Sequence, residues 1–189
     1  INRANITRLK TAYRELYERY TNTRNDFSAV AEPISLQFEN IAKKFEDFEK
    51  VIENSQIQEL NQINSSIEEM LDHMTVIIEE MPSIVLLSVG VIPKKIEEIK
   101  RYYDAMTKAG YPLDYLNVEY NIDEAKAKLE DIMTRAKHLN IEESLLILKV
   151  LNEYFEGLIN DFEKEKNSRK TYEKELEEIL ADAKELHEY

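Results

Sequence analysis

The chain has 189 residues, of which 33% are charged, 3 are Gly, 4 are Pro and none is Cys, and its formal net charge is -13. So few turn residues exclude a sandwich or barrel and suit a small number of long helices. The acidic balance argues against nucleic acid and against an anionic membrane surface as partners, and the lack of Cys removes disulfides and thiolate metal sites.

A hydrophobic stripe then runs along nearly the whole chain at helical spacing. In the first segment, Asn2 to Glu53, it reads Ile6, Leu9, Tyr13, Leu16, Tyr20, Phe27, Val30, Ile34, Phe38, Ile41, Phe45, Phe48 and Ile52. Steps of three and four put these side chains on one helix face, which must be covered by partner helices. The stripe stays nearly in register across Pro33, so the spacing predicts one helix kinked there. A second segment starts near Ser55, the expected cap, and carries Ile57, Leu60, Ile63, Ile67, Met70, Met74, Ile77 and Met81. It meets Pro82 and then Gly90 to Pro93, where one kinked helix or two helices are both possible. The stripe resumes through Ile96, Ile99, Tyr103 and Met106, and Gly110 with Tyr111-Pro112 ends it.

The third segment, Val118 to His138, carries Ile122, Ala125, Leu129, Ile132 and Ala136. A tight connection at Leu139-Asn140 leads to the fourth, for which Asn140 is the expected cap with Glu142 and Glu143 in the first turn. Its stripe, Ile141, Leu145, Leu148, Leu151, Phe155, Leu158 and Phe162, lapses over Glu163 to Lys170. It returns at Tyr172, Leu176, Ile179, Ala183 and Leu186. Lengths and connections predict an all-α, elongated rod of antiparallel three-helix groups joined by long, kinked helices. The expected division is a helical hairpin over 1–90, a three-helix group over 91–165, and an extension over 166–189. No apolar run approaches the roughly 20 residues that span a bilayer. The chain begins at Ile1 rather than Met and reads as an internal piece of something longer.

No catalytic constellation emerges. Three glycines, at 90, 110 and 157, make no phosphate-cradling loop, and there is no Gly-x-Ser-x-Gly elbow. A helical di-metal site wants a Glu three residues before a His, but Met70, Arg135 and Lys184 stand before His73, His138 and His187. Glu69 and His73 lie one turn apart and could touch a metal; solvated neighbours are the simpler reading. No catalytic, cofactor or metal residue is therefore assigned, and no partner-binding residue either. The apolar run Ile84–Ile92 reads as core more readily than as a docking patch. Tyr102, Tyr103, Tyr111, Tyr115 and Tyr120 read as a loop packed onto a helix end more readily than as an interface. The tail after Phe162 has nine acidic and six basic residues, with Glu165 and Arg169 spaced for pairing. It predicts an exposed helix whose weak stripe awaits a cover.

The middle of the chain resembles a known family. Glu79-Glu80-Met81-Pro82, Pro93-Lys94-Lys95-Ile96-Glu97-Glu98-Ile99, Tyr103-Asp104-Ala105-Met106, Gly110-Tyr111-Pro112-Leu113 and Leu139-Asn140-Ile141-Glu142-Glu143 are similar to segments of EzrA, the septation ring formation regulators. The family's Gly-Tyr-Arg-Glu-Met box has Tyr102 in place of its Gly here, and Asp104-Ala105 in place of Arg-Glu. The resemblance implies a non-enzymatic scaffold of spectrin-like repeats on the cytoplasmic face of the cell membrane at the division septum. Its parent protein would be anchored by an N-terminal transmembrane helix, bind the tubulin-like protein FtsZ, restrain ring assembly and link it to wall-synthesis proteins. It implies no cofactor and no nucleic acid. The rival readings are a membrane-shaping crescent dimer, which would need a basic concave face, and a plain coiled-coil spacer without its own partner. A di-metal enzyme is a further rival, disfavoured by the missing ligand motif.

Overall fold

The protein is described by a computed structural model covering residues 2–54 and 56–188. The fold is all-α. Helix α1 (Asn2–Asn22) is followed by a 3-10 segment (Arg24–Val30) and α2 (Ala31–Val51). Helix α3 (Ile57–Val85) continues through a π-helical turn (Leu86–Val91) into α4 (Ile92–Lys108). A short 3-10 turn (Asp114–Leu116), α5 (Val118–Ala136) and α6 (Ser144–Glu188) complete the chain.

The first predicted helix is two helices. The chain reverses between Asn22 and Ala31, with Ser28 at φ 47°, ψ -122°. Pro33 does not kink a helix: it sits in the first turn of α2, where a missing N–H leaves no hydrogen bond unmade. The reversal escapes a periodicity reading because Phe27 and Val30 are fully buried from within the 3-10 segment, so the stripe continues through the turn. Helices α1 and α2 then run antiparallel. Lys10 pairs with Glu49 at 2.7 Å, Tyr13 packs edge-on against Phe38 and Phe45, and the Tyr20 hydroxyl donates to the Ala31 carbonyl at 2.8 Å. Both helices pack on α3, and Arg8 reaches Glu68 across α1 and α3 at 3.0 Å.

Neither Pro82 nor Pro93 breaks the long helix, which is continuous from Ile57 to Lys108, 52 residues. In the π turn the Ile92 N–H bonds back to the Leu87 carbonyl, five residues away, which absorbs one extra residue just before Pro93. By length and composition an 18-residue stretch of this helix is apolar enough to cross a membrane, a signal that a search for uninterrupted runs misses. Here it runs through the contact between two helical groups. Ile77 and Ile78 are both buried, as are Ile84 and Val85, so more than one face of the helix is covered. The α1–α2 connection packs on α3, and so does α6.

The C-terminal group gathers α4, α5 and α6. Lys95 contacts Asn152 and Glu156, and Tyr102 stacks on Phe162, so α4 and α6 run in the same direction. Helix α5 returns alongside them, and the turn after it meets α3, where His73 Nε2 lies 3.0 Å from the Leu139 carbonyl. Gly110 ends α4 as expected: at φ 82° it lets the Tyr111 N–H reach Met106 and its own N–H reach Thr107. Leu139, at φ 59°, closes α5 by the same pattern. Asn140 does not cap α6. The helix starts at Ser144 behind Glu143 at φ 60°, and its first turn holds no acidic residue. The expected cap at Ser55 lies outside the described residues; Gln56 stands at the start of α3 without a side-chain cap bond.

Candidate interaction surface

Among the described residues no three His, Asp or Glu side chains gather where a metal could sit. The His73 ring turns one nitrogen to the Leu139 carbonyl. The titration shifts have local causes. Burial raises the Tyr13 hydroxyl above its ordinary range, the hydrogen bond to Glu124 raises Tyr120, and contact with Lys100 lowers Lys126.

The apolar run Ile84–Ile92 divides. Ile84, Val85, Ser88 and Ile92 are buried, while Leu86 and Val89 are 62% and 60% exposed. Of the tyrosines, Tyr102, Tyr103 and Tyr111 pack against the core, whereas Tyr115 and Tyr120 stand in solvent. Ile57, placed in the stripe by its spacing, is exposed.

Two features at the far end of the C-terminal group dominate its surface. The first is a groove of about 480 Å³ lined by Glu98, Arg101, Tyr102, Ala105, Met106, Ala109, Tyr111 and Lys166. Arg101 and Ala105 on α4 and Ala109 at its C-cap step by four, so the small side chains leave a trough beside the tyrosine rings. Sequence reading missed it because Lys166 joins from a helix about sixty residues further on; the only local signal is that row of two alanines. Beside the groove, Arg169 lies over the Tyr111 ring at 4.7 Å, reaches the Gly110 carbonyl at 3.5 Å and pairs with Glu173 at 3.7 Å. Arg169 thus pairs forward with Glu173, where the spacing had suggested Glu165.

The second feature is the distal part of α6. Its seam continues without a change of phase: Leu148, Leu151, Phe155, Leu158, Phe162, then Glu165 and Arg169, then Tyr172, Leu176, Ile179, Ala183 and Leu186. The polar interruption falls where Arg169 clamps the end of α4. Beyond it Tyr172, Leu176, Ile179, Leu180 and Leu186 are all exposed.

Comparison with known proteins gives a consistent answer. The profile of one family, described as septation ring formation regulator, EzrA, matches residues 1–188. Relatives bearing that name include one from Geobacillus sp. (strain WCH70), 28% identical over 99% of this chain and 34% of its own length. One from Geobacillus kaustophilus is 26% identical over 97% of this chain and 34% of its own. One from Staphylococcus epidermidis is 23% identical over 96% and 32%. The chain spans about a third of the length of these relatives. No solved structure matches it.

Proposed function

We propose that this chain, which belongs to the EzrA family of septation ring formation regulators, is a scaffold segment of a membrane-anchored cell-division regulator. In this reading it works by geometry and carries no catalytic activity. It acts on the cytoplasmic face of the membrane at the septum, holds a fixed spacing between membrane and division ring, and contributes surface that competes with FtsZ self-association. Wall-synthesis proteins are further partners of the whole protein. Residues 1–90 serve as part of one spectrin-like repeat, 91–165 as a second, and 166–189 as an extension toward a next one.

The observation that best supports this role is the unbroken helix Ile57–Lys108. A helix that leaves one packed group and enters the next without a loop transmits position along a rod, as linear helical arrays require. The unpaired seam of distal α6 fits the same plan, since a stripe in phase with the packed half can be covered from the same side.

The test is co-sedimentation of the chain with GTP-assembled FtsZ at low and physiological salt. The chain pelleting with polymer, or lowering polymer mass, supports a contact within these residues, which charge reversal then maps. Neither effect at high concentration overturns the contact and leaves this segment as the spacer of the regulator.

A further inference from the structure

We infer that the groove at the end of α4 is a docking site for an acidic peptide segment carrying a bulky apolar side chain. The inference rests on the groove and its charge, and is independent of the family reading.

The surroundings of the groove are locally basic. Residues 94–108 hold five Lys or Arg against three Asp or Glu, and residues 163–170 hold four against two. Each stretch is therefore positive in a chain whose total is -13. They meet across the groove, where Tyr102 stacks on Phe162 and Lys166 faces the α4 trough. Arg101 and Lys166 on its rim enter no ion pair among the described residues, whereas Lys95 and Arg169 nearby are committed to Glu156 and Glu173. Two uncommitted cations beside an apolar trough favour carboxylates on a ligand seated in it.

The floor supplies what charge alone does not. Tyr102, Ala105, Met106, Ala109 and Tyr111 make an apolar trough of about 480 Å³, room for one or two large side chains. Tyrosine rings and methionine are favoured in such contacts, and small alanines let an anchor approach the helix closely. Arg169 lies over the Tyr111 ring and holds it, so the groove wall is set before a ligand arrives. Glu98, the one carboxylate on the lining, stands one turn before Arg101, so the net charge of the lining is positive by one.

The test is selection from a random peptide library on the whole chain, followed by fluorescence anisotropy with the enriched peptides. Enriched sequences should combine Asp or Glu with Leu, Phe or Trp. Their affinity should fall at least about tenfold on Arg101→Glu/Lys166→Glu and on Ala105→Trp, which fills the trough. Thermal unfolding of both variants should match the parent, because all three positions are exposed. If Ala105→Trp perturbs folding, the charge-reversal pair decides alone. No enrichment, enrichment of basic or purely apolar sequences, or affinity unchanged by the charge reversal overturns the inference.

Discussion

Helix α1 and the distal half of α6 carry the same pattern and meet opposite fates. Ile6, Leu9, Tyr13, Leu16 and Tyr20 step by three and four; so do Tyr172, Leu176, Ile179, Ala183 and Leu186. In α1 the aliphatic members are at most 9% exposed, while Ile179 and Leu186 are 64% and 79% exposed. Spacing specifies a face; it does not specify what covers it. What distinguishes α1 is that α3 lies along it and α2 is folded back on it by the Ser28 reversal, with Phe38 taking the rings of Tyr13, Tyr17 and Tyr20.

The comparison breaks most forcefully at Phe38. Phe38→Ala removes the ring on which three α1 tyrosines converge, and urea unfolding should show a loss of about 3–5 kcal/mol. A loss below about 1 kcal/mol would mean that α1 is held by α3 alone. Arg169→Ala tests the boundary between the packed and bare halves of α6. It loses the contact with Tyr111, and a drop of about 0.5–1 kcal/mol is expected, with faster amide exchange in the Gly110–Leu113 loop.

Tyr13→Phe sharpens the α1 side by pH. Burial raises the Tyr13 pKa above 10.0 in the fold, so its contribution is complete below pH 10 and fades as pH rises through the shifted value. The Phe variant should lose less stability on the alkaline side than the parent, measured as midpoints across that window; equal slopes would discard this account. The smallest change is expected at Ile179→Ala, within about 0.5 kcal/mol, because nothing covers that side chain. A concentration-dependent fall in melting temperature with this variant would reveal a second copy on the stripe.

Much of the fold is legible because burial follows the stripe closely, from Leu60 and Ile67 through Met106 and on to Phe162. The reversal at residues 22–31 is not, since Phe27 and Val30 keep the three-four rhythm inside a non-α segment. Its signal is compositional: Thr23, Asn25, Asp26 and Ser28 crowd one turn's length, side chains that compete for backbone hydrogen bonds. The start of α6 is misread because a strong cap residue at Asn140 outweighs the three further residues the chain needs to turn. The groove depends on Lys166 meeting Ala105 and Tyr111, a long-range juxtaposition that local periodicity does not contain.

The π turn carries a mechanical consequence. Along α3 the buried positions advance as Leu71, Met74, Ile78, Met81, Val85, Ser88 and Ile92; the next is Ile96, a second step of four. The π turn takes up the added residue, so the buried face of α4 stays aligned with that of α3. The two groups share one backbone column, with no loop between them. Deleting a single residue within Leu86–Val91 would restore an ordinary α turn and leave the two groups facing as they do, whereas a deletion in the α-helical stretch before it would turn one against the other by about 100°, the angular advance of one helical residue.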